Sequence, residues 1–415
     1  MKIVLLTQYF PPEVGAPQSR LFELAIKYKE YGSQITILTA MPNYPNMTIQ
    51  ERYKRKLWKC ENMNGLEILR SWIFVKKSNS VLLRLLNYFS FVVSSFILGL
   101  IKLKKHDYLI CESPPLFLGL TAYLLSKLKQ SKFVFNVADL WPETAEKLNI
   151  ISNKFLLSLA RKLELFLYHK AFLITGQSQG IVNNISERTK KNVYLLRNGA
   201  DLQIFSKESV KNSPPYDVPF APGDFVLFYG GLLGYQYSIE TILNSAVQVS
   251  MYPKIKFLIV GDGPKKEELV MLTSQLNLQN ISFMAPKPRL ELAYFLSKIN
   301  VVIISFRKLE LFDGIIPAKI FDALALEKPI LLGANGETKE LFIQEGKCGL
   351  YFEPENVEAL TKQILVLYQN KKLCEDFGKN GRMFVKNNFD RSIIAKDFYN
   401  YLLSELNPTT REKIK

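Results

Sequence analysis

The chain has 415 residues, of which 48% are hydrophobic, and this length is too great for one core but suits two α/β domains. Its net charge is +16, but no DNA- or RNA-binding motif is present, so we expect no nucleic-acid partner. The four cysteines have no C-x-x-C spacing and no signal peptide precedes the first predicted strand, so we expect a reduced, cytoplasmic protein without a metal.

The first half of the chain predicts a parallel sheet. A strand at Lys2–Thr7, a helix near Ser19–Tyr31 and a strand at Ser33–Thr39 form a βαβ unit. Further short apolar runs predict the remaining strands of this half, at Tyr108–Cys111, Lys132–Val137, Ala171–Thr175 and Asn192–Leu196.

A basic and apolar segment at residues 52–105 interrupts this pattern. Five basic residues lie between Arg52 and Lys59, and an uncharged apolar run follows at Leu85–Ile101. The run is short for a spanning helix, so a buried helix and a helix lying in the lipid headgroup region are the main alternatives. The adjacent basic cluster favours attachment to a membrane surface, with three phenylalanines of the run expected to contact lipid: Phe89, Phe91 and Phe96.

The second half begins after a proline-rich stretch at 206–224, which predicts an interdomain linker. A strand at Phe225–Tyr229 is followed by a glycine turn and by a helix at about Ser238–Met251. Glycines at such a turn allow the close backbone approach of a diphosphate, although ordinary helix–strand packing explains them as well: Gly230, Gly231 and Gly234.

The stretch from Asp313 to Glu340 concentrates polar groups around a helix start. Between buried strands at Val301–Phe306 and Pro329–Leu332, a helix is predicted at Pro317–Leu326, with Lys319 in its first turn and Asp322 one turn later. An anion is held best at such a helix start, and a ligand is held best at the carboxyl ends of parallel strands. The alternative is that Lys319 and Asp322 form a solvated helical pair.

Seven motifs in order give this chain a family resemblance. They are Gln8-Tyr9-Phe10-Pro11-Pro12-Glu13 with Gly15-Ala16-Pro17, Pro42-Asn43-Tyr44-Pro45, Ser113-Pro114-Pro115-Leu116-Phe117, Asp139-Leu140-Trp141-Pro142-Glu143, Asn198-Gly199, Gly261-Asp262-Gly263-Pro264, and the stretch after Asp313. The chain resembles retaining, nucleotide-sugar-dependent glycosyltransferases of the GT-B fold, family 4, and among them the fucosamine-transferase-like branch of bacterial O-antigen and capsule synthesis.

The resemblance implies an α/β fold with two Rossmann-like domains facing each other across a cleft. The first, residues 1–205, would bind the acceptor and the membrane, and a C-terminal helix at about 390–415 would cross back to it. After the linker at 206–224, residues 225–389 would form the nucleotide-sugar donor domain.

The resemblance also implies roles for individual residues. The catalytic candidates are Lys319, which would neutralise the leaving diphosphate, with Asp139 and Glu337. Asp139 would orient the acceptor or stabilise positive charge on the sugar, and its alternative role is capping a helix near Pro142. Asp322 would accept hydrogen bonds from the ribose. The donor-binding candidates are Gly15, Gly230, Gly231, Gly234, Arg307, Gly314, Lys319, Asp322, Gly336 and Glu337. The acceptor candidates are Asn43, Tyr44, Trp141 and Glu143, of which the first two are explained equally well by turn chemistry.

Three departures from the family pattern affect the donor site. Gly314 stands where the first motif acid is expected, Asp322 replaces the more usual glutamate, and Ala318 replaces a common serine. Leu232, Leu233 and Tyr235 occupy positions that are polar or basic in many relatives, so Arg307 or Lys308 is expected to compensate.

The implied function is transfer of a sugar such as N-acetylfucosamine, with retention, from a nucleoside diphosphate to a polyprenyl-diphosphate-linked saccharide. The donor is expected to be UDP-linked, no cofactor is expected, and the protein would be peripheral on the inner face of the cell membrane. Two alternatives stay open at this point: a GT-B nucleotide-sugar epimerase and a degenerate, non-catalytic subunit.

Overall fold

The structure is a computed structural model that describes residues 1–13, 15–44, 47–77 and 81–406. Pro45 of the second motif and residues 407–415 of the predicted last helix lie outside the described residues. The chain forms two compact units, one comprising Met1–Arg197 and the chain from Ser392 onward, the other comprising Asn198–Arg391.

The first unit is built on a sheet with strand order β3-β4-β2-β1-β5-β6-β7-β8, parallel except for the antiparallel pair β3–β4. Alternate residues of β1 enter two different cores, so helices cover both faces of the sheet. The strands are β1 Lys2–Leu6, β2 Gln34–Ala40, β3 Trp58–Met63, β4 Leu66–Ser71, β5 Tyr108–Ser113, β6 Lys132–Val137, β7 Leu173–Gly176 and β8 Val193–Leu195. The helices are α1 Ala16–Glu30, α2 Val81–Lys102, α3 Leu118–Leu128, α4 Glu143–Lys147, α5 Lys154–Lys170 and α6 Gln179–Thr189.

The second unit contains a parallel sheet with strand order β11-β10-β9-β12-β13-β14. The strands are β9 Phe225–Leu232, β10 Ile255–Asp262, β11 Ile281–Met284, β12 Val301–Ser305, β13 Ile330–Gly333 and β14 Gly349–Tyr351. The helices are α7 Lys207–Lys211, α8 Ile239–Gln248, α9 Lys266–Gln275, α10 Arg289–Lys298, α11 Lys319–Ala325, α12 Gly336–Lys339, α13 Val357–Gln369 and α14 Lys371–Asn388.

The stretch at 206–224, predicted as a linker, contains structure that packs on the second unit. Helix α7 lies at its start and contacts α10, and the Tyr216 ring lies 5.4 Å from the Tyr294 ring. The unit also begins earlier than residue 206. Phe205 is buried and its carbonyl accepts a hydrogen bond of 3.1 Å from Arg382, which attaches this part of the chain to α14.

The last helix, α15 (Arg391–Leu406), packs on the sheet of the first unit. The Tyr399 ring lies 5.7 Å from the Tyr28 ring and 5.2 Å from the Tyr31 ring, both on or next to α1. The Tyr108 hydroxyl donates a hydrogen bond of 2.7 Å to the carbonyl of Leu402. Residues that follow the second unit in sequence therefore complete the core of the first.

Helix α2 buries one side and exposes an apolar stripe on the other. The exposed side chains recur every three or four residues and are 42% to 69% exposed: Leu82, Leu86, Phe89, Val93, Ile97, Leu100 and Ile101. Phe91 is fully buried, so its predicted contact with lipid is wrong, because this position faces the sheet. In the part of the chain that the structure describes, Leu82–Lys102 is the one helix long and apolar enough to cross a membrane, and 28% of its most apolar stretch is buried.

Polar residues of α2 hold it against the segment after β4. The Asn87 side chain donates a hydrogen bond of 2.6 Å to the carbonyl of Phe74, and the Phe74 N–H donates one of 2.8 Å to the Ser90 hydroxyl. The Ser94 hydroxyl donates to the carbonyl of Trp72. These bonds satisfy polar groups that would otherwise be costly at an apolar surface.

Candidate functional site

The candidate donor site lies where the parallel strands of the second unit end. Strand β9 continues through Gly230 and Gly231 to Leu232, so the predicted turn directly after Tyr229 is wrong; the chain leaves the sheet only after Leu232. A Cβ atom on Gly261 of β10 would overlap the carbonyl oxygen of Gly231. Glycine here lets the two strands stay paired to their ends and leaves the edge of the sheet free of side chains.

Lys319 reaches this edge from the start of α11. Its ammonium nitrogen is buried and lies 3.8 Å from the centre of the Tyr229 ring and 4.1 Å from that of Tyr237. It has no hydrogen-bond partner among the described residues. A Cβ atom on Gly231 would lie 3.5 Å from this nitrogen, so the lysine extends along the glycine end of β9.

Two effects act on the charge of Lys319. Burial lowers its pKa well below the usual value, because a buried ammonium loses its hydration. The faces of the Tyr229 and Tyr237 rings attract a cation and oppose that effect. No ion pair joins Lys319 to Asp322, so the alternative of a solvated helical pair does not describe this structure.

A second turn meets the loop that precedes α11. Gly336 has a φ of 59°, and a Cβ atom there would overlap the carbonyl oxygen of Asp313. The Glu337 N–H donates a hydrogen bond of 2.9 Å to the same oxygen, and the Thr338 hydroxyl donates one of 2.7 Å to the carbonyl of Ile315. The predicted Gly314 and Gly336–Glu337 segments are therefore neighbours, although they lie far apart in sequence.

The other donor candidates lie on the surface near these strand ends. Arg307 is exposed, and its N–H donates a hydrogen bond of 3.0 Å to the carbonyl of Gln236, in the loop that contains Gly234. Lys308 is exposed and forms an ion pair of 2.8 Å with Glu353, which balances its positive charge. Leu232 and Tyr235 are exposed, as expected for side chains that follow the end of β9.

Asp322 lies in a cluster of charged residues on a different side of α11. Burial raises its pKa to about 6, while the positive charges of Arg289 and Arg391 act in the opposite direction. Arg289 forms an ion pair of 3.2 Å with Asp201, and Arg391 donates a hydrogen bond of 2.6 Å to the carbonyl of Gly199. The cluster gives Asp322 a structural environment that its sequence motif does not indicate.

In the first unit, Asp139 follows β6 and precedes α4. Its carboxylate accepts a hydrogen bond of 2.8 Å from the Thr144 hydroxyl and does not cap α4, whose N-cap residue is Pro142. Burial raises the pKa of Asp139 to about 6, and the nearby charge of Glu143 adds to the shift. Glu143 forms an ion pair of 2.7 Å with Lys147, while Trp141 packs on the core of the sheet.

Glu13 organises the loops that carry the remaining candidates. Its carboxylate accepts hydrogen bonds of 2.8 Å from the N–H groups of both Asn43 and Tyr44, and one of 3.1 Å from the N–H of Phe10. Asn43 is buried and donates to the carbonyl of Met41, so turn structure accounts for it. Tyr44 is half-buried, and Gly15 precedes the first turn of α1.

Sequence reasoning did not identify Tyr229 and Tyr237 as partners of Lys319. Tyr229 stands at the end of an apolar run and resembles an ordinary core residue, and Tyr237 lies in a loop. The one local signal is an aromatic residue directly before the glycine pair of β9. Contact with a lysine that lies 82 to 90 residues later depends on the order of strands, which local sequence does not encode.

Comparisons with known proteins agree with this geometry. Residues 216–384 match the family described as glycosyl transferases group 1. Two solved structures cover nearly the whole chain. Sucrose-phosphate synthase from Thermosynechococcus elongatus has a TM-score of 0.75 and 16% identity over 98% of this chain and 99% of its own. Anabaena HepE in complex with UDP-glucose has a TM-score of 0.70 and 14% identity over 97% and 100%. The chain has the GT-B fold.

The chain is also similar to two bacterial proteins that are named as glycosyltransferases. It is 25% identical to Escherichia coli K12 WcaI, named as a glycosyl transferase of colanic acid biosynthesis, over 95% of this chain and 99% of that protein. It is 26% identical, over 61% and 64%, to a Campylobacter jejuni N-acetylgalactosaminyltransferase whose name gives a diphospho-undecaprenol acceptor. Both relatives are named as glycosyltransferases, the class of enzyme that the sequence motifs predict.

Tyr237→Leu is expected to weaken the binding of uridine diphosphate by about 2- to 30-fold, because an aromatic contact to a cation contributes about 0.5–2 kcal/mol. Tyr237→Phe keeps the ring and is the matched control, which should bind as the wild type does. Isothermal titration calorimetry of both variants measures the difference. If the leucine and phenylalanine variants bind uridine diphosphate with equal affinity, the ring of Tyr237 does not contribute to binding through Lys319.

Asp139→Asn is expected to reduce the pH dependence of stability between about pH 4 and pH 6. The folded chain keeps a proton on Asp139 up to a pKa of about 6, whereas an unfolded chain releases it near pH 4. The folded state therefore binds the extra proton in this interval, and its stability falls as pH rises through it. Urea unfolding at several pH values tests this, with Asp397→Asn, an exposed aspartate on α15, as control. An unchanged pH dependence in Asp139→Asn would contradict it.

Proposed function

We propose that this protein is a membrane-associated glycosyltransferase of bacterial surface polysaccharide synthesis. It would transfer a sugar, such as N-acetylfucosamine, from a UDP-linked donor to a polyprenyl-diphosphate-linked saccharide with retention of configuration, without a metal. The observation that carries the proposal is the buried ammonium of Lys319 at the end of β9, which has no hydrogen-bond partner among the residues that the structure describes. That residue lies within the segment that matches group 1 glycosyl transferases.

The proposed reaction depends on stabilising the departing diphosphate. The bond between the anomeric carbon and the diphosphate oxygen breaks, and negative charge grows on that oxygen. The acceptor hydroxyl attacks the same face of the sugar, forms the new glycosidic bond and gives its proton to the departing diphosphate. Lys319 would attract the developing charge, an effect that is strong where water is excluded.

Other residues take supporting roles in this proposal. Gly336 would let its turn lie close to the donor, and the Glu337 side chain would contact the donor sugar. Asp139 would orient the acceptor or stabilise positive charge on the sugar. Asp322 would bind the ribose, and the positive charges of Arg289 and Arg391 favour its ionised, hydrogen-bond-accepting form.

The proposed location is the cytoplasmic face of the cell membrane, and helix α2 supports it. Its exposed apolar stripe lies on a helix that ends at Lys102, whose ammonium lies 4.4 Å from the centre of the Trp58 ring. Exposed basic residues flank the stripe in sequence, including Arg55 and Lys56 before it and Lys104 and Lys105 after it. An apolar face with flanking cations is typical of helices that lie in a membrane interface.

Lys319→Ala is expected to lower turnover by about 100- to 1000-fold, the usual effect of losing one group that stabilises transition-state charge. The fold should be retained, because the change removes a buried amine without a hydrogen-bond partner. Transfer from UDP-sugars to a polyprenyl-diphosphate-linked saccharide is the assay, preceded by thermal-shift screening of uridine, guanosine and thymidine diphosphate sugars.

Lys308→Ala is the control, since that lysine is exposed and paired with Glu353. Wild-type turnover in Lys319→Ala would remove this lysine from the mechanism. A chain that binds a donor and transfers nothing to any acceptor would instead be the non-catalytic subunit.

Replacing Leu86, Phe89, Val93 and Ile97 with serine is expected to release the protein from vesicles of anionic phospholipid, because these exposed side chains supply the apolar contact. Sedimentation with vesicles at low and high salt measures this, and salt should weaken binding of the wild type. The surface control is a variant in which serine replaces two exposed residues of the second unit, Lys362 and Lys379. Retained binding by the quadruple variant, with its melting temperature unchanged, would rule out α2 as the attachment.

A further inference from the structure

We propose that a cavity beside α2 binds the diphosphate group of a polyprenyl-diphosphate lipid. The inference rests on the proposed function, because it assigns a place in the first unit to the lipid part of the acceptor. The residues predicted from sequence to contact the acceptor lie outside the lining of this cavity.

The cavity is open and has a volume of about 720 Å³. One wall is the stretch between β2 and β3, from Met47 to Lys54, and the other is the stretch from Trp72 to Lys77 that follows β4. Both walls belong to the first unit. A volume of this size is in the range of ligand-binding clefts.

The charged groups of the lining favour an anion. Lys54, Lys76 and Lys77 line the cavity together with a single acidic residue, Glu51, which pairs with Lys54. Lys76 and Lys77 are exposed and have no ion-pair partner among the described residues. Two ammonium groups at one cavity suit the two phosphates of a diphosphate.

The rest of the lining favours a lipid rather than a free phosphate. Apolar and aromatic side chains, among them Ile49, Trp72 and Val75, share the cavity with the lysines. Trp72 is 40% exposed. A tryptophan with one exposed edge next to lysines is typical of the boundary between lipid headgroups and acyl chains.

The cavity is fixed to the apolar stripe of α2. The wall residues Trp72 and Phe74 accept hydrogen bonds at their carbonyls from Ser94 and Asn87 of that helix. The exposed stripe of the same helix, including Phe89 and Val93, lies next to these hydrogen-bonding residues on the helix surface. The same hydrogen bonds therefore join the proposed diphosphate site to the apolar stripe, so that one lipid molecule can contact both.

Farnesyl diphosphate tests this site, because it carries the diphosphate and a short isoprenoid and dissolves without a membrane. Isothermal titration calorimetry should show binding to the wild-type chain in the presence of excess UDP. Lys76→Ala with Lys77→Ala should weaken that binding by roughly 30-fold, because each lost hydrogen-bonding contact to a phosphate costs about fivefold in affinity. Inorganic diphosphate and farnesol should each bind more weakly than farnesyl diphosphate.

The matched control is Lys371→Ala with Lys372→Ala, which removes two exposed lysines, consecutive in sequence, on α14 of the second unit. It should bind farnesyl diphosphate as the wild type does. Equal losses in the two double variants would show general charge attraction and overturn the site. The site would also be overturned if farnesyl diphosphate did not bind the wild type, if UDP displaced it, or if inorganic diphosphate bound with equal affinity.

The experiment separates this inference from the proposed function. Binding of UDP and of UDP-sugars is measured on the same Lys76→Ala, Lys77→Ala variant and should be unchanged. If the variant keeps both farnesyl diphosphate binding and transfer, the lipid site is wrong and the glycosyltransferase stands. If the wild-type chain binds farnesyl diphosphate through Lys76 and Lys77 but transfers no sugar, the site stands and the proposed function is wrong.

Discussion

Both sheets of this protein are covered by helices on their two faces, and this constraint determines where polar chemistry is possible. Strands such as Val301–Ser305 are buried throughout their length, so a polar side chain within them would lose its hydration without compensation. Charged and hydrogen-bonding groups therefore collect where parallel strands end. In the second unit these are the glycine end of β9 and the two turns that meet at Asp313.

The buried ammonium of Lys319 is the least compensated group at this edge. A carboxylate partner would neutralise it and compete with an incoming anion, whereas the rings of Tyr229 and Tyr237 attract the charge without neutralising it. The exposed side chains of Leu232 and Tyr235, at and after the end of β9, carry no charge, whereas Lys319 of α11 brings a positive charge to this edge.

Sequence motifs predicted the fold class and most strands, because buried parallel strands leave continuous apolar runs bounded by glycine and proline. They failed where the outcome depends on a neighbouring element. Strand β9 runs past Tyr229 because Gly261 of β10 leaves room for it. Phe89 and Phe91 look alike in sequence, but the helix turns one towards solvent and the other into the core.

The candidate site was also predicted only in part, because some of its features depend on contacts with neighbouring elements. Motifs brought Lys319, Gly336 and Glu337 to attention because their residue types suit a helix start and a tight turn. They gave no indication that Asp322 faces Arg289 and Arg391, or that Glu13 ties two loops together, since both depend on contacts between distant segments. Long-range electrostatic contacts leave no local pattern in a single sequence.

The hydrogen bonds from Asn87, Ser90 and Ser94 to the segment after β4 have a mechanical consequence. A helix held only by apolar packing can roll about its own axis, and the side it shows to its surroundings then varies. These three hydrogen-bonded side chains along one side of α2 prevent that rotation, so the exposed stripe keeps a fixed direction about the helix axis. Any flat apolar surface that this stripe meets would hold the whole first unit at a single tilt.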